Sequence, residues 1–306
     1  MNKLMSITGI LLLAAMFLAG CSKTIPIEEA VHTLNVSVVL PAVASRASHD
    51  GDGDGKFIDR CRLQIWLKDS LCIDRTAPVK NFRAEFSEII IAENPQYQFL
   101  FWADCSLSEF YNTENLKQIS FKGEYLGNDD RRDAFCLSAS SEEVKASKEN
   151  PLMLRRPFAQ MNIITTDIAD FIQYLLEGRA TLRPEFFPES VRVKFKAPKL
   201  FDVSSMKGSE IGEFSYFSKI YSDLLSLDGP WDRTLSMDYI FVPDENKFLT
   251  DVKFSLEGNA EATAMEFSSI PLMRNYRTCV TGRLLSLGQQ AEVTISTEWN
   301  GEENAE

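Results

Sequence analysis

The chain has 306 residues, 44% of them hydrophobic, and carries a formal net charge of −12. Its length suits more than one domain, and its 21 Phe supply enough apolar mass for real cores, which excludes bulk disorder. So acidic a body also excludes nucleic acid as a partner and electrostatic adsorption to anionic lipid.

The chain opens on a signal. Lys3 supplies a positive charge, and Leu4 to Ala19 is apolar with only small polar interruptions. That run is shorter than the roughly 20 residues of a spanning helix, so it reads as a secretory signal. Leu18-Ala19-Gly20-Cys21 resembles the lipobox of bacterial lipoproteins. The resemblance implies diacylation of the Cys21 thiol and cleavage before it, with residues 1–20 as signal peptide and 21–31 as tether. Each buried methylene contributes about 0.8 kcal/mol, so two or more acyl chains make a stable anchor. No second run of spanning length follows, and acylated Cys21 is the expected membrane contact.

Strands come next. Thr33 to Leu40 alternates and ends at Pro41; Ser45 to Gly55 is a polar, Gly-rich loop. Arg60 to Leu67 alternates, as do Phe82, Ala84 and Phe86 with their polar neighbours. Tyr97 to Trp102 is almost continuously apolar, which predicts a strand buried on both faces or at a sheet centre. Phe110 to Asn128 is mixed, Ala134 to Leu137 is a short strand, and the charged stretch Glu142 to Asn150 closes on Pro151. A boundary is placed there, giving residues 32–150 and 151–306 as two β-sandwich domains. In the second, Phe158 to Ile163 alternates, and Ile168, Phe171, Ile172, Leu175 and Leu176 predict one short helix. Val191 to Lys196, Val252 to Glu257 and Val293 to Thr297 also alternate, while Leu235, Met237, Tyr239 and Phe241 line one strand face.

Chemistry is sparse. Of the cysteines after Cys21, Cys61 reads as a core thiol, and Cys105 with Cys136, at the ends of aromatic strands, is a candidate disulfide. No Cys/His spacing suits zinc. Asp50-Gly51-Asp52-Gly53-Asp54-Gly55 has the acidic spacing that opens a calcium loop. The twelfth position is Cys61 where a bidentate Glu is needed, so the segment reads as a solvated loop. With only His32 and His49, no Ser–His or Cys–His pair is marked, and Trp66, Trp102, Trp231 and Trp299 read as packing residues before sugar platforms. The expectation is therefore no enzyme, no metal and no cofactor.

Several stretches resemble fimbrillin-like (Mfa-like) lipoproteins of Bacteroides-type bacteria. Leu154-Arg155-Arg156-Pro157-Phe158-Ala159 is similar to the element opening their second domain, and Ile270-Pro271 through Asn275-Tyr276-Arg277-Thr278 to Leu284-Leu285 to their late strand. Phe201-Asp202-Val203, Asp238-Tyr239-Ile240-Phe241, Phe101-Trp102-Ala103-Asp104, Tyr125 with Gly127-Asn128-Asp129, and Arg132-Asp133-Ala134-Phe135 fall where that family has short signatures. Cys279 and Arg283 stand where the family often has Asn.

The resemblance implies two transthyretin-like β-sandwiches and a structural or accessory subunit of surface fimbriae, made as an outer-membrane lipoprotein. It also implies either activation by an Arg-specific protease at Arg46-Ala47 or, in an anchor or accessory subunit, an uncut exposed loop there. Loss of the first strand would let a neighbour's terminal strand, such as Glu292 to Trp299, add in its place. The alternative is a non-polymerising surface lipoprotein that binds a glycan or host protein through its loops.

Overall fold

The computed structural model describes residues 31–41, 53–93, 95–107, 109–147, 150–170, 173, 190–219, 233–257, 263–285 and 291–296. The strands of the first half are β1 (Val31–Val39), β2 (Arg60–Leu67), β3 (Ser70–Pro78), β4 (Arg83–Ala92), β5 (Gln98–Asp104), β6 (Tyr111–Asn112), β7 (Ile119–Phe121) and β8 (Ala134–Ser140). A helix α1 (Ser141–Ala146) and β9 (Leu152–Met153) follow. Then come β10 (Phe158–Thr165), β11 (Ser190–Asp202), β12 (Lys207–Lys219), β13 (Arg233–Phe241), β14 (Phe248–Glu257), β15 (Thr263–Leu272), β16 (Arg277–Gly282) and β17 (Ala291–Ser296). The chain is mainly β.

Four sheets stack with three apolar layers between them. An outer sheet, β4-β1-β9, shares a core with an inner sheet, β3-β2-β5-β8, through Leu34, Val36 and Val38 on one side and Leu63, Phe99 and Phe101 on the other. A second inner sheet, β13-β10-β16-β17, shares a core with the other outer sheet, β15-β14-β11-β7-β6, in which β12 takes the free edge of β11. The third layer joins the two inner sheets. Leu100, Trp102 and Cys136 come from one, Phe158, Tyr239 and Phe241 from the other, with Tyr111 and Phe201 between.

This layering explains the burial of β5 and β10. In β5, Phe99, Phe101 and Ala103 enter the first core while Leu100 and Trp102 enter the third layer. The continuous apolar run foretold that. All eight residues of β10 are buried, although the sequence there reads as a half-buried alternation. Its polar members Gln160 and Asn162 are enclosed with the rest, and Gln160 is engaged by neighbours described below. Strands β6 and β7 precede residue 150 yet belong to the far outer sheet, with Leu200 and Phe201 of β11 opposite Ser120 and Ile119.

Some elements differ from the sequence reading for local reasons. Glu142 to Asn150 opens as helix α1, because Ser140 and Glu143 form a reciprocal capping box. Phe82 lies outside β4: Asn81 and Phe82 have φ of 50° and 60° and form a turn, leaving the ring exposed. Leu235 departs from the face of Met237, Tyr239 and Phe241, since a bulge in β13 opposite Ile163 and Ile164 turns it into the second core. Strand β3 gave no sequence signal, being an exposed edge. Of the expected helix, residues 168–170 and 173 are described and helical; the rest lies outside the described residues.

Among the described residues no disulfide forms. In the β5–β8 ladder Cys136 faces Trp102, and Cys105 lies past the end of β5, out of bridging reach. Cys61 is fully buried as expected, and burial pushes its thiol far above the usual range.

The layered packing sets different costs for two truncations. Phe158→Ala, in the third layer, is expected to destabilise by about 3–5 kcal/mol. Ile90→Ala, on the exposed face of β4, is expected to stay within about 0.5 kcal/mol of the parent. Urea unfolding of both variants checks this; equal losses would contradict the layering.

Candidate functional site

Two features bear on function: the first strand and the buried junction between the inner sheets. Strand β1 pairs antiparallel with β4 along its whole length, with a bulge at Asn35, whose side-chain oxygen accepts the Glu88 N–H at 3.0 Å. Its other edge pairs, in parallel, only at Val38 with Leu152 and Val39 with Met153. From Val31 to Ser37 that edge meets no strand among the described residues. The inward residues Leu34, Val36, Val38 and Leu40 are all buried in the first core. His32, on the outward side, lies 3.5 Å from Glu93.

The sequence-derived site residues Cys21, Arg46 and Ala47 lie outside the described residues, as does His49. Among the described residues no helix is long and apolar enough to cross a membrane, and no cluster of His, Cys, Asp or Glu could hold a metal ion.

The junction collects side chains that are far apart in sequence. Arg156, fully buried, donates to Asp133 through Nε at 2.8 Å and Nη2 at 2.7 Å, and its Nη2 also reaches the Gly53 carbonyl at 2.5 Å. Its guanidinium carbon lies 4.4 Å from the Phe135 ring centre. Burial pushes the Asp133 carboxyl up against the opposing pull of Arg156. Asp130 accepts from the Gly53 N–H at 2.7 Å and from the Tyr239 hydroxyl. The Gln160 amide donates to the same hydroxyl at 3.3 Å and accepts from Arg277 Nε.

A second cluster surrounds Asp238, which is 1% exposed. Tyr216 donates to it at 2.6 Å, and Tyr125 and Ser236 at 3.1 Å. Arg132 lies beside them, its guanidinium carbon 3.7 Å from the Tyr125 ring centre and 5.3 Å from that of Phe121. Its Nη1 donates to the Leu126 carbonyl, while Nε and Nη2 face rings and find no acceptor. Gly127 is required here, because a Cβ would sit 2.2 Å from the Tyr216 ring. Asn128 clamps β13, donating to the Leu235 carbonyl at 3.1 Å and accepting the Met237 N–H at 2.5 Å.

The short signatures noted in the sequence thus converge on one place. Arg156, Arg132-Asp133, Tyr125 with Gly127-Asn128, Asp238-Tyr239 and Arg277 all belong to this junction. Asn275 joins through its backbone, whose N–H donates to the Phe158 carbonyl at 2.7 Å. Each group holds a neighbour, and the arrangement positions backbone. Tyr216 was missed by the sequence reading. The only signal for it was the alternation of Phe214 and Tyr216 with exposed neighbours in β12.

A model described as a family of unknown function, DUF6562, matches residues 25–306. The chain belongs to that family. No curated protein matches the sequence. Among solved structures, this DUF6562 member is similar to a putative cell adhesion protein from Bacteroides ovatus at 10% identity and a TM-score of 0.47, covering 87% of this chain and 96% of that one. It is similar to the fimbrial anchor protein Mfa2 from Porphyromonas gingivalis at 9% identity and 0.46, covering 87% and 98%. A fimbrial assembly protein from Parabacteroides distasonis gives 11% identity and 0.42, covering 87% and 100%.

The junction makes two measurable demands. Arg156→Ala leaves Asp133 buried without its partner and is expected to cost about 3–5 kcal/mol in chemical denaturation. Asp238 has its carboxyl pushed up to about 6 by burial, against the three hydroxyls and Arg132. The folded state therefore holds this proton more tightly than the unfolded chain. Its contribution to stability is full below about pH 4 and is lost as pH rises through 6, a slope worth roughly 3 kcal/mol. Asp238→Asn is expected to flatten that part of the stability–pH curve; an unchanged curve would contradict the assignment.

Proposed function

We propose that this chain is a lipid-anchored structural or accessory subunit of surface fimbriae, in which β1 is the exchangeable element. The carrying observation is the position of β1. It supplies three apolar side chains to the first core, with Leu40 just after it adding a fourth, yet it is held by a full ladder on one edge only. It also touches neither of the other two apolar layers.

Proteolysis at Arg46-Ala47, on the C-terminal side of β1, separates that strand from the body. Each of Leu34, Val36, Val38 and Leu40 contributes roughly 1.5–3 kcal/mol by burial, so the vacated groove strongly favours another alternating apolar strand. The unpaired ladder of β4 supplies the hydrogen bonds for it. In this fold β17 is paired with β16 from Arg277–Ser296 to Gly282–Ala291, so a donor drawn from Glu292 to Trp299 first has to leave that sheet. Cleavage also parts the body from acylated Cys21 and moves it from membrane to polymer.

Mass spectrometry of protein extracted from the cell surface tests the reading. The expected N-terminus of assembled protein is Ala47. Assembled protein that begins only at acylated Cys21 overturns the exchange mechanism, and a monomer with a saturable glycan or host ligand favours the non-polymerising alternative. Cys21→Ser is expected to shift the precursor out of the detergent phase; retention there would overturn the anchor.

A further inference from the structure

The outer face of the far sheet holds a trough of about 700 Å³ that the fimbrial reading does not use. It exists because β11 and β14 part company. Their ladder runs from Ser190–Glu257 to Lys194–Lys253 and stops. Beyond it the Thr250 hydroxyl stands in for a strand partner, accepting the Lys196 N–H at 3.2 Å and donating to the Lys196 carbonyl at 2.8 Å. Pro198, further along β11, has no N–H to offer. Lys194 and Lys196 are among the lining residues, with Ile211 of β12 on one side and Leu249 of β14 on the other, each about half exposed.

The charges in the trough are incompletely matched. Lys194 and Lys253 stand directly opposite in the ladder, a like-charge pairing that costs stability unless an anion lies near. Lys253 turns to Glu266 at 2.6 Å. Lys194 and Lys196 make no ion pair among the described residues. Of the two acids in the lining, Asp251 accepts the Ser269 N–H at 2.8 Å, and Glu213 is the other. The trough therefore offers the amine of Lys194, with that of Lys196 opposite Glu213 in the β11–β12 ladder, beside exposed aliphatic groups, in a chain whose net charge is −12. Among the described residues its aromatic lining is Phe195, which is buried, and Phe248, which packs against the core, so none of these offers a ring platform to a sugar.

We infer that the trough is the docking site of the chain's own C-terminal segment, residues 297–306. That segment, Thr-Glu-Trp-Asn-Gly-Glu-Glu-Asn-Ala-Glu, carries Glu298, Glu302, Glu303 and Glu306, no Lys or Arg, and one apolar anchor, Trp299. Topology puts its start close by. Ser296, the last residue of β17, pairs with Arg277; the turn before Arg277 leads back to Leu272, and Leu272 pairs with Phe248 in the trough lining. Ten extended residues reach roughly 30 Å, enough to pass the β15 edge and run along the trough. The carboxylates meet Lys194 and Lys196, and Trp299 covers Leu249 or Ile211. The inference does not rest on the fimbrial reading and concerns the chain before any strand exchange, since Thr297 to Trp299 also close the donor stretch named there.

Carbodiimide cross-linking of the full-length protein, with mass spectrometry, tests it. The expected products join Lys194 or Lys196 to Glu298, Glu302, Glu303 or Glu306. In a mixture of light and isotopically heavy protein, those products join segments of the same isotope. In parallel, acetylation of Lys194 and Lys196 is expected to speed up at least threefold in full-length Glu302→Gln/Glu303→Gln, and likewise in the parent at 1 M salt. Links from the tail to other surfaces, links only between light and heavy copies, or acetylation unmoved by both changes would each overturn the inference.

Discussion

The rest of the structure depends on the contact between its two inner sheets. Trp102 of one meets Phe158 of the other edge-on at 6.3 Å, with Tyr111 of β6 against both, at 5.3 Å from Trp102 and 5.8 Å from Phe158. An inner sheet separated from its partner would expose a face of Trp, Tyr and Phe far larger than a soluble monomer tolerates. The two sandwiches therefore have to fold against each other. That requirement also explains why β6 and β7 leave the first half to pair with β11.

Charged groups are placed in this apolar layer at a cost, and their geometry is what makes the cost bearable. Arg156 finds two carboxylate bonds, a carbonyl and a ring; Arg132 finds a carbonyl and a wall of rings. An apolar layer alone lets two sheets slide, whereas the bidentate Arg156–Asp133 pair and the Asn128 clamp favour one register. β1, like its neighbour β4, sends its inward residues into the first core only and takes no part in the junction.

How much of this was legible in the sequence follows from what each residue had to satisfy. Period-2 alternation gave β1, β11 and β14, because each has one wet face, and β2, because Arg60, Arg62 and Gln64 alternate with its apolar residues although that face is largely enclosed. The apolar run at Tyr97 to Trp102 gave a strand buried on both sides. The same burial at Phe158 to Thr165 was hidden, since Gln160 and Asn162 are polar yet enclosed, and polarity reads as exposure when the partners are unseen. The bulge at Leu235 breaks a period that looks regular in sequence. The resemblance signatures pointed to the right residues without giving their role, because Asp133 and Arg156, or Tyr125 and Asp238, meet only in the folded stack.

Amide hydrogen exchange, followed strand by strand under native conditions, tests the central claim that the inner sheets form one cooperative unit. The account predicts that amides of β5, β8, β10 and β13 share one opening free energy, that of global unfolding, while β1 opens at lower cost. Exchange of β5 and β8 through an opening that leaves β10 and β13 protected would contradict it.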